Sequence, residues 1–175
     1  MKLKQNHPFT LLGMMFSISR QTCARYFRKM IKILRVVLKN FIFLESRESI
    51  DANIPRHFIR YRMVKYILDC TEIPVCSVKC ICCRTQMFLY YKSRLTLKLL
   101  LGVSPSGLIT YVSPLYGSKA SDKFIFNAGN LLDTCSQNDA IMVDKGVHIK
   151  EECKRRGVKL IQPPFKPRKS KFNRR

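Results

Sequence analysis

Two aspartates, Asp69 and Asp144, close short apolar runs, Val64 to Cys70 and Ala140 to Asp144. A carboxylate at the end of a buried strand is exposed at the carboxyl edge of the sheet while the strand itself stays covered. If the two strands are neighbours, the carboxylates converge and repel, and a divalent cation relieves the repulsion. Mg²⁺ commonly takes one or two protein carboxylates and keeps waters for a substrate phosphate. In a chain with 33 Lys+Arg against 11 Asp+Glu, this points to metal-assisted phosphodiester chemistry. The spacing alone equally admits turn formers, a common role of strand-end aspartates. Asp122, in Ser121-Asp122-Lys123, has a similar pair of readings, a helix cap or an auxiliary position near the metal.

The other acids have plainer places. Glu45, Glu48 and Asp51 fall in a polar stretch, Asp133 and Asp139 in turns, and Glu151 and Glu152 at the start of a helix, where acids suit the dipole.

A chain of 175 residues with 46% hydrophobic content has enough apolar side chains for a core, so it reads as folded and not as a disordered polycation. Its net charge of +22 favours polyphosphate or an anionic membrane surface over acidic small molecules, with nucleic acid as the leading partner. The N-terminal apolar residues Phe9 to Phe16 imitate a short signal peptide, but no small-x-small cleavage site follows. Met30 to Phe43 is interrupted by Lys32, Arg35 and Lys39 at helical spacing, which is an amphipathic helix and not a membrane span.

Of the 8 cysteines, Cys76, Cys80, Cys82 and Cys83 crowd together, which suits a disulfide framework poorly. The group has no His beside it and no paired C-x2-C array, so its spacing reads as reduced thiols before zinc.

These groups need elements to hold them. Residues 8–43 read as a helical, helix-turn-helix-like DNA-binding segment, with Ser19 as the N-cap of a helix from Arg20 to Met30. Cys23, Ala24, Phe27 and Ile31 share one face of it. Arg20, Gln21, Arg25, Arg28 and Lys29 are then free for bases or phosphates. A plain helical hairpin fits the same pattern. Residues 44–60 read as a linker. From 61 to 165 the periodicity gives strands at Val64 to Cys70, Thr96 to Val103 and Leu108 to Ser113. A helix from Ser121 to about Leu132, a strand at Ala140 to Asp144, a short helix at Ile149 to Arg156 and a strand at Val158 to Gln162 follow. Residues 166–175 form a basic tail without acids, a candidate nuclear-import or nucleic-acid patch, or simply a solubilising one.

Several ordered motifs carry a family resemblance. They are Asp69-Cys70-Thr71-Glu72-Ile73, Tyr91-Lys92 with Thr96-x-Lys98, Gly102-Val103-Ser104-Pro105-Ser106-Gly107, Ser121-Asp122-Lys123, Ile141-Met142-Val143-Asp144-Lys145-Gly146 and Pro163-Pro164-Phe165. The chain resembles the Harbinger-like DDE superfamily endonuclease domain of transposases, and Phe16 to Ser19 and Ser46 to Ile50 resemble the preceding segment with its helix-turn-helix. The resemblance implies an α/β, RNase H-like mixed sheet with flanking helices, preceded by a small helical unit. It also implies three acids holding two divalent metals, Mg²⁺ or Mn²⁺, for attack on a phosphodiester, and a nuclear location. By motif, Asp69 matches the first catalytic aspartate, Asp144 the second, and Asp122 a further acidic position outside that triad.

The chain also departs from the family's pattern. The family's third carboxylate is a glutamate on a helix downstream of Pro-Pro-Phe, and the residues that follow Phe165 include no acid. Glu151 and Glu152 lie too soon after Asp144 to replace it. Val147 stands where an aromatic is usual, and Cys76 to Leu89 differs from the family's polar loop. The expectation is a domain incomplete at its C-terminus, with metal and DNA binding but weak or lost cleavage, open to completion by a separate DNA-binding partner protein. The alternatives are a non-catalytic DNA-binding protein and a decaying transposon copy without a selected role.

Overall fold

The structure, a computed structural model, describes residues 1–164 apart from the side chain of Tyr91. The basic tail 166–175 lies outside the described residues. The chain divides into two units, Met1–Ile42 and Phe43–Arg175.

In the second unit, strand β1 (Val64–Pro74) alternates buried and exposed positions, with Val64, Tyr66 and Leu68 inside. Period-two alternation puts Lys65, Ile67, Asp69 and Thr71 on its other face. β1 pairs antiparallel with β3 (Arg94–Val103) and parallel with β6 (Ala140–Val143), which pairs parallel with β7 (Lys159–Ile161). β4 (Ile109–Val112) extends the sheet beyond β3, so the main order is β4-β3-β1-β6-β7. Two-residue strands β2 (Phe88–Leu89) and β5 (Tyr116–Gly117) also pair with β3. Three antiparallel strands followed by two parallel ones, with helices between β4 and β7, give the RNase H-like arrangement.

The β3–β4 hairpin turns at Ser104 to Leu108, where the Ser104 N–H donates to the Leu108 carbonyl and the Gly107 N–H to that of Ser104. Gly107 has φ +94, a left-handed conformation that glycine enters without steric cost. Helix α6 (Asp122–Ala128) is capped by Ser121, whose Oγ accepts the Phe124 N–H at 3.1 Å. It stops well before Leu132, because Gly129 and a left-handed Asn130 break the helical path, and a 3₁₀ turn at Leu131–Thr134 follows. The α6 residues Ile125 and Phe126 pack with Tyr66, Leu68, Leu100, Ile141 and Val143 into one core. Cys153 of helix α7 (Lys150–Arg155) joins them, so both helices cover the same face of the sheet. Truncating a residue as buried as Phe126 to Ala costs about 3–5 kcal/mol.

The segment read as a linker is largely ordered. Helix α4 (Arg47–Asn53) occupies it, because Ser46 accepts the Ser49 N–H and Ile50 is buried, and a 3₁₀ helix at Arg56–Tyr61 leads into β1. Helix α5 (Ile81–Met87), which the periodicity of the sequence does not suggest, lies between β1 and β2.

The first unit contains α1 (Lys2–Gln5), α2 (Phe9–Met15) and α3 (Arg20–Lys39). No Gly or Pro interrupts residues 20 to 39, so the helix expected from Arg20 to Met30 and the amphipathic helix expected from Met30 form one helix of 20 residues, about 30 Å, that ends at Lys39 and not Phe43. Ser19 caps it, accepting the Thr22 N–H at 3.1 Å. The turn between α2 and α3 is tight: a Cβ on Gly13 would lie 2.7 Å from the Ile18 carbonyl oxygen. Leu12, Gly13, Cys23 and Ala24 are buried, and the Phe9 and Phe27 rings meet at 5.6 Å. No helix among the described residues is long and apolar enough to cross a membrane.

Candidate active site

Register brings the two aspartates together. Leu68 and Val143 are the last partners in the parallel β1–β6 ladder, on strands about 4.8 Å apart, so Asp69, still within β1, and Asp144, the first residue after β6, both follow that pair. Both are exposed. Asp69 belongs to the face of β1 that carries Ile67 and Thr71, with Leu101 of β3 as its cross-strand partner. Asp144 begins a closed turn: the Val147 N–H donates to the Asp144 carbonyl at 3.2 Å. Gln162, just before Pro163-Pro164, donates through Nε2 to the carbonyls of Val147 (2.6 Å) and Asp144 (3.4 Å). The turn that presents Asp144 is thus tied to the segment after β7.

Asp122 has an ion partner of its own. Its Oδ1 accepts from Lys98 Nζ at 3.1 Å, and Lys98 also donates to the Ala120 carbonyl. Its carboxylate also acts on the Cys70 thiol, which packs against the core. Burial, and then this carboxylate, push the Cys70 thiol up to about 12. Asp122 lines one cavity with Lys98, Ser121 and Lys123 and with Gly146 and His148 of the turn that Asp144 begins, while the β1–β6 register relates Asp69 to Asp144. Glu72, on the Cys70 face, is paired with Lys92 at 2.7 Å.

No third acid joins the pair from α7. Glu152 pairs with Lys123 of α6 at 2.8 Å, and α7 packs on the core face. Two acids read as linker or turn residues prove to be structural. Burial alone would raise the Glu45 carboxyl, but hydrogen bonds from Ser104, Ser106 and Ser49 hold it below its ordinary value. Asp139 accepts from Arg47 and Ser136 and lies 3.7 Å from Lys65. Only pairing across long sequence separations reveals these roles.

In the first unit, Arg20, Gln21, Arg25, Arg28 and Lys29 are all exposed on α3. Gln21, Arg25 and Arg28 follow four-three spacing, and Lys32, Arg35 and Lys39 continue the stripe. The sequence puts these cations on two successive helical stretches, and the uninterrupted α3 joins them into one face.

The family model described as "DDE superfamily endonuclease" matches residues 68–175, more than half of the chain. The chain belongs to this family. A second model, "Helix-turn-helix of DDE superfamily endonuclease", matches residues 1–40. No curated protein and no solved structure matches the chain. In this DDE superfamily member the endonuclease match starts one residue before Asp69 and includes Asp122 and Asp144.

Proposed function

We propose that this DDE superfamily member is of the Harbinger type and acts on DNA in the nucleus, with Asp69 and Asp144 holding Mg²⁺ or Mn²⁺. The observation that supports the reading is the Leu68–Val143 pairing, after which each chain segment continues into an exposed aspartate. The donor set fits the ion: hard carboxylate oxygens on two solvent-exposed residues. Bound there, such an ion polarises a phosphoryl oxygen and lowers the pKa of water. The chain's own part is to fix the carboxylates through the β1–β6 ladder and the Gln162-bound turn, and to hold DNA through its phosphates along α3.

The resemblance implies a third acid beside Asp69 and Asp144. We infer that the two aspartates suffice to bind an ion, while fast cleavage needs that third group, because a reacting oxygen misplaced by about 1 Å loses roughly 10²-fold in rate. A separate partner protein that binds the same DNA is one further participant this reading admits. The exposed stripe of α3 also favours a second reading, DNA binding without cleavage.

Mn²⁺ titration followed by electron paramagnetic resonance, with nicking of supercoiled plasmid, tests the main reading. The double variant Asp69→Ala, Asp144→Ala should lose about tenfold or more in Mn²⁺ affinity. Unchanged affinity overturns the site. Arg25→Ala with Arg28→Ala should weaken DNA binding and flatten its salt dependence, by about 0.9 in log–log slope for each phosphate that is no longer neutralised. Salt-insensitive binding removes the α3 interface.

A further inference from the structure

We propose that Cys80, Cys82 and Cys83 form a thiolate site for a thiophilic divalent cation of the Zn²⁺ class, which ties down the loop between β1 and α5. One sulfur from each residue lies within 4.8 Å of the other two, and Cys80 Sγ and Cys82 Sγ are 2.8 Å apart. Around tetrahedral zinc, Zn–S bonds of about 2.3 Å put sulfurs about 3.8 Å from one another, so small side-chain rotations admit the ion. Cys80 and Cys82 are exposed and Cys83 half-buried, so an ion reaches them from solvent and water takes the fourth position.

The sequence pattern argues against zinc because it lacks His and a paired C-x2-C array. The fold answers this by starting α5 immediately after Cys80, which turns Cys82 and Cys83 back toward it. The donor chemistry separates this site from the aspartate pair. Thiolates select Zn²⁺ and its soft relatives, while carboxylates at Asp69 and Asp144 suit Mg²⁺ or Mn²⁺. Three thiolates and one Zn²⁺ carry a charge of about −1, and Lys79 and Arg84 lie on either side in sequence to offset it.

Binding releases the thiol protons to solvent, and no bond changes oxidation state. A further observation agrees: none of the seven residues of α5 is buried. So short a helix is unstable alone in water, and a metal crosslink at its first turn would hold it.

The test uses the full 175-residue chain, reduced with a phosphine and titrated with Co²⁺ and then Zn²⁺. One Co²⁺ per chain should give thiolate charge-transfer and tetrahedral d–d bands, and Zn²⁺ should bleach both. Cys80→Ser, Cys82→Ser, Cys83→Ser should abolish the bands, while Asp69→Ala with Asp144→Ala keeps them. Because the triple variant could misfold, alkylation of the unmutated chain with and without Zn²⁺, mapped by mass spectrometry, provides a second reading. Protection of Cys80, Cys82 and Cys83 supports the site. Absent thiolate bands, protection confined to other cysteines, or a Cys80–Cys82 disulfide that persists in reductant overturns it.

Discussion

Lys98 Nζ stands 3.1 Å from Asp122 Oδ1, in a cavity that Gly146 and His148 also line. We expect this ion pair to occupy the Asp122 carboxylate, so that Asp69 and Asp144 carry the ion. Asp122→Asn should leave Mn²⁺ affinity where it is, while Asp69→Asn or Asp144→Asn lowers it. The same Asp122 change should cost about 1–2 kcal/mol in urea unfolding, since it weakens a charged hydrogen bond at a helix start. Loss of Mn²⁺ affinity in Asp122→Asn would place all three carboxylates around one ion and refute this assignment.

The turn of the first unit depends on two residues that touch no DNA in the proposed reading. Ser19→Ala removes the α3 cap and should cost about 1 kcal/mol. Gly13→Ala drives a methyl to 2.7 Å from the Ile18 carbonyl, so the backbone must shift, at about 1–3 kcal/mol. Circular-dichroism melts check both. Gly13→Ala should also weaken DNA binding more than Ser19→Ala, because it changes the angle between α2 and α3 while the cap change chiefly frays α3.

Much of the sheet was legible because β1, β3 and β6 are apolar runs bounded by turn residues, and their order alone suggested α/β. The strand-end positions of Asp69 and Asp144 were legible for the same reason. Their adjacency was not, since register is a property of pairing between strands 75 residues apart in sequence, Leu68 with Val143. Ser46 and Glu48 looked like linker because polar residues serve turns and helix starts alike, and only the burial of Ile50 decides between them. Asp122 was ambiguous because spacing along a chain does not say which face of β1 a helix covers.

Glu45 makes the acid limb of stability testable. Ser49 and Ser106 donate to its two oxygens at 2.9 and 2.7 Å, joining the start of α4 to the β3–β4 turn. Its folded pKa lies below the ordinary 4.5, so its contribution is present above that pH and fades as pH falls through the folded value. Glu45→Gln should therefore lower stability at pH 7 and narrow its gap to the unmutated chain on acidification. A gap that stays constant from pH 7 to pH 3 would mean that the carboxylate's charge contributes nothing.

Asp139 should be the most sensitive of the surface-near acids. It is 7% exposed and faces both Arg47 and Lys65, so Asp139→Ala leaves two cations near the start of β6 without their shared partner. Breaking a buried ion pair costs about 3–5 kcal/mol, and because the Arg47 side chain is 35% exposed the expected loss is lower, about 2–3 kcal/mol. Arg47→Met with Asp139→Leu removes both charges of the pair, and although Lys65 remains, the double change should recover part of the loss. Chemical denaturation of the three proteins gives the coupling directly. A double variant no more stable than Asp139→Ala would show that packing around α4, and not the stranded charge, sets the cost.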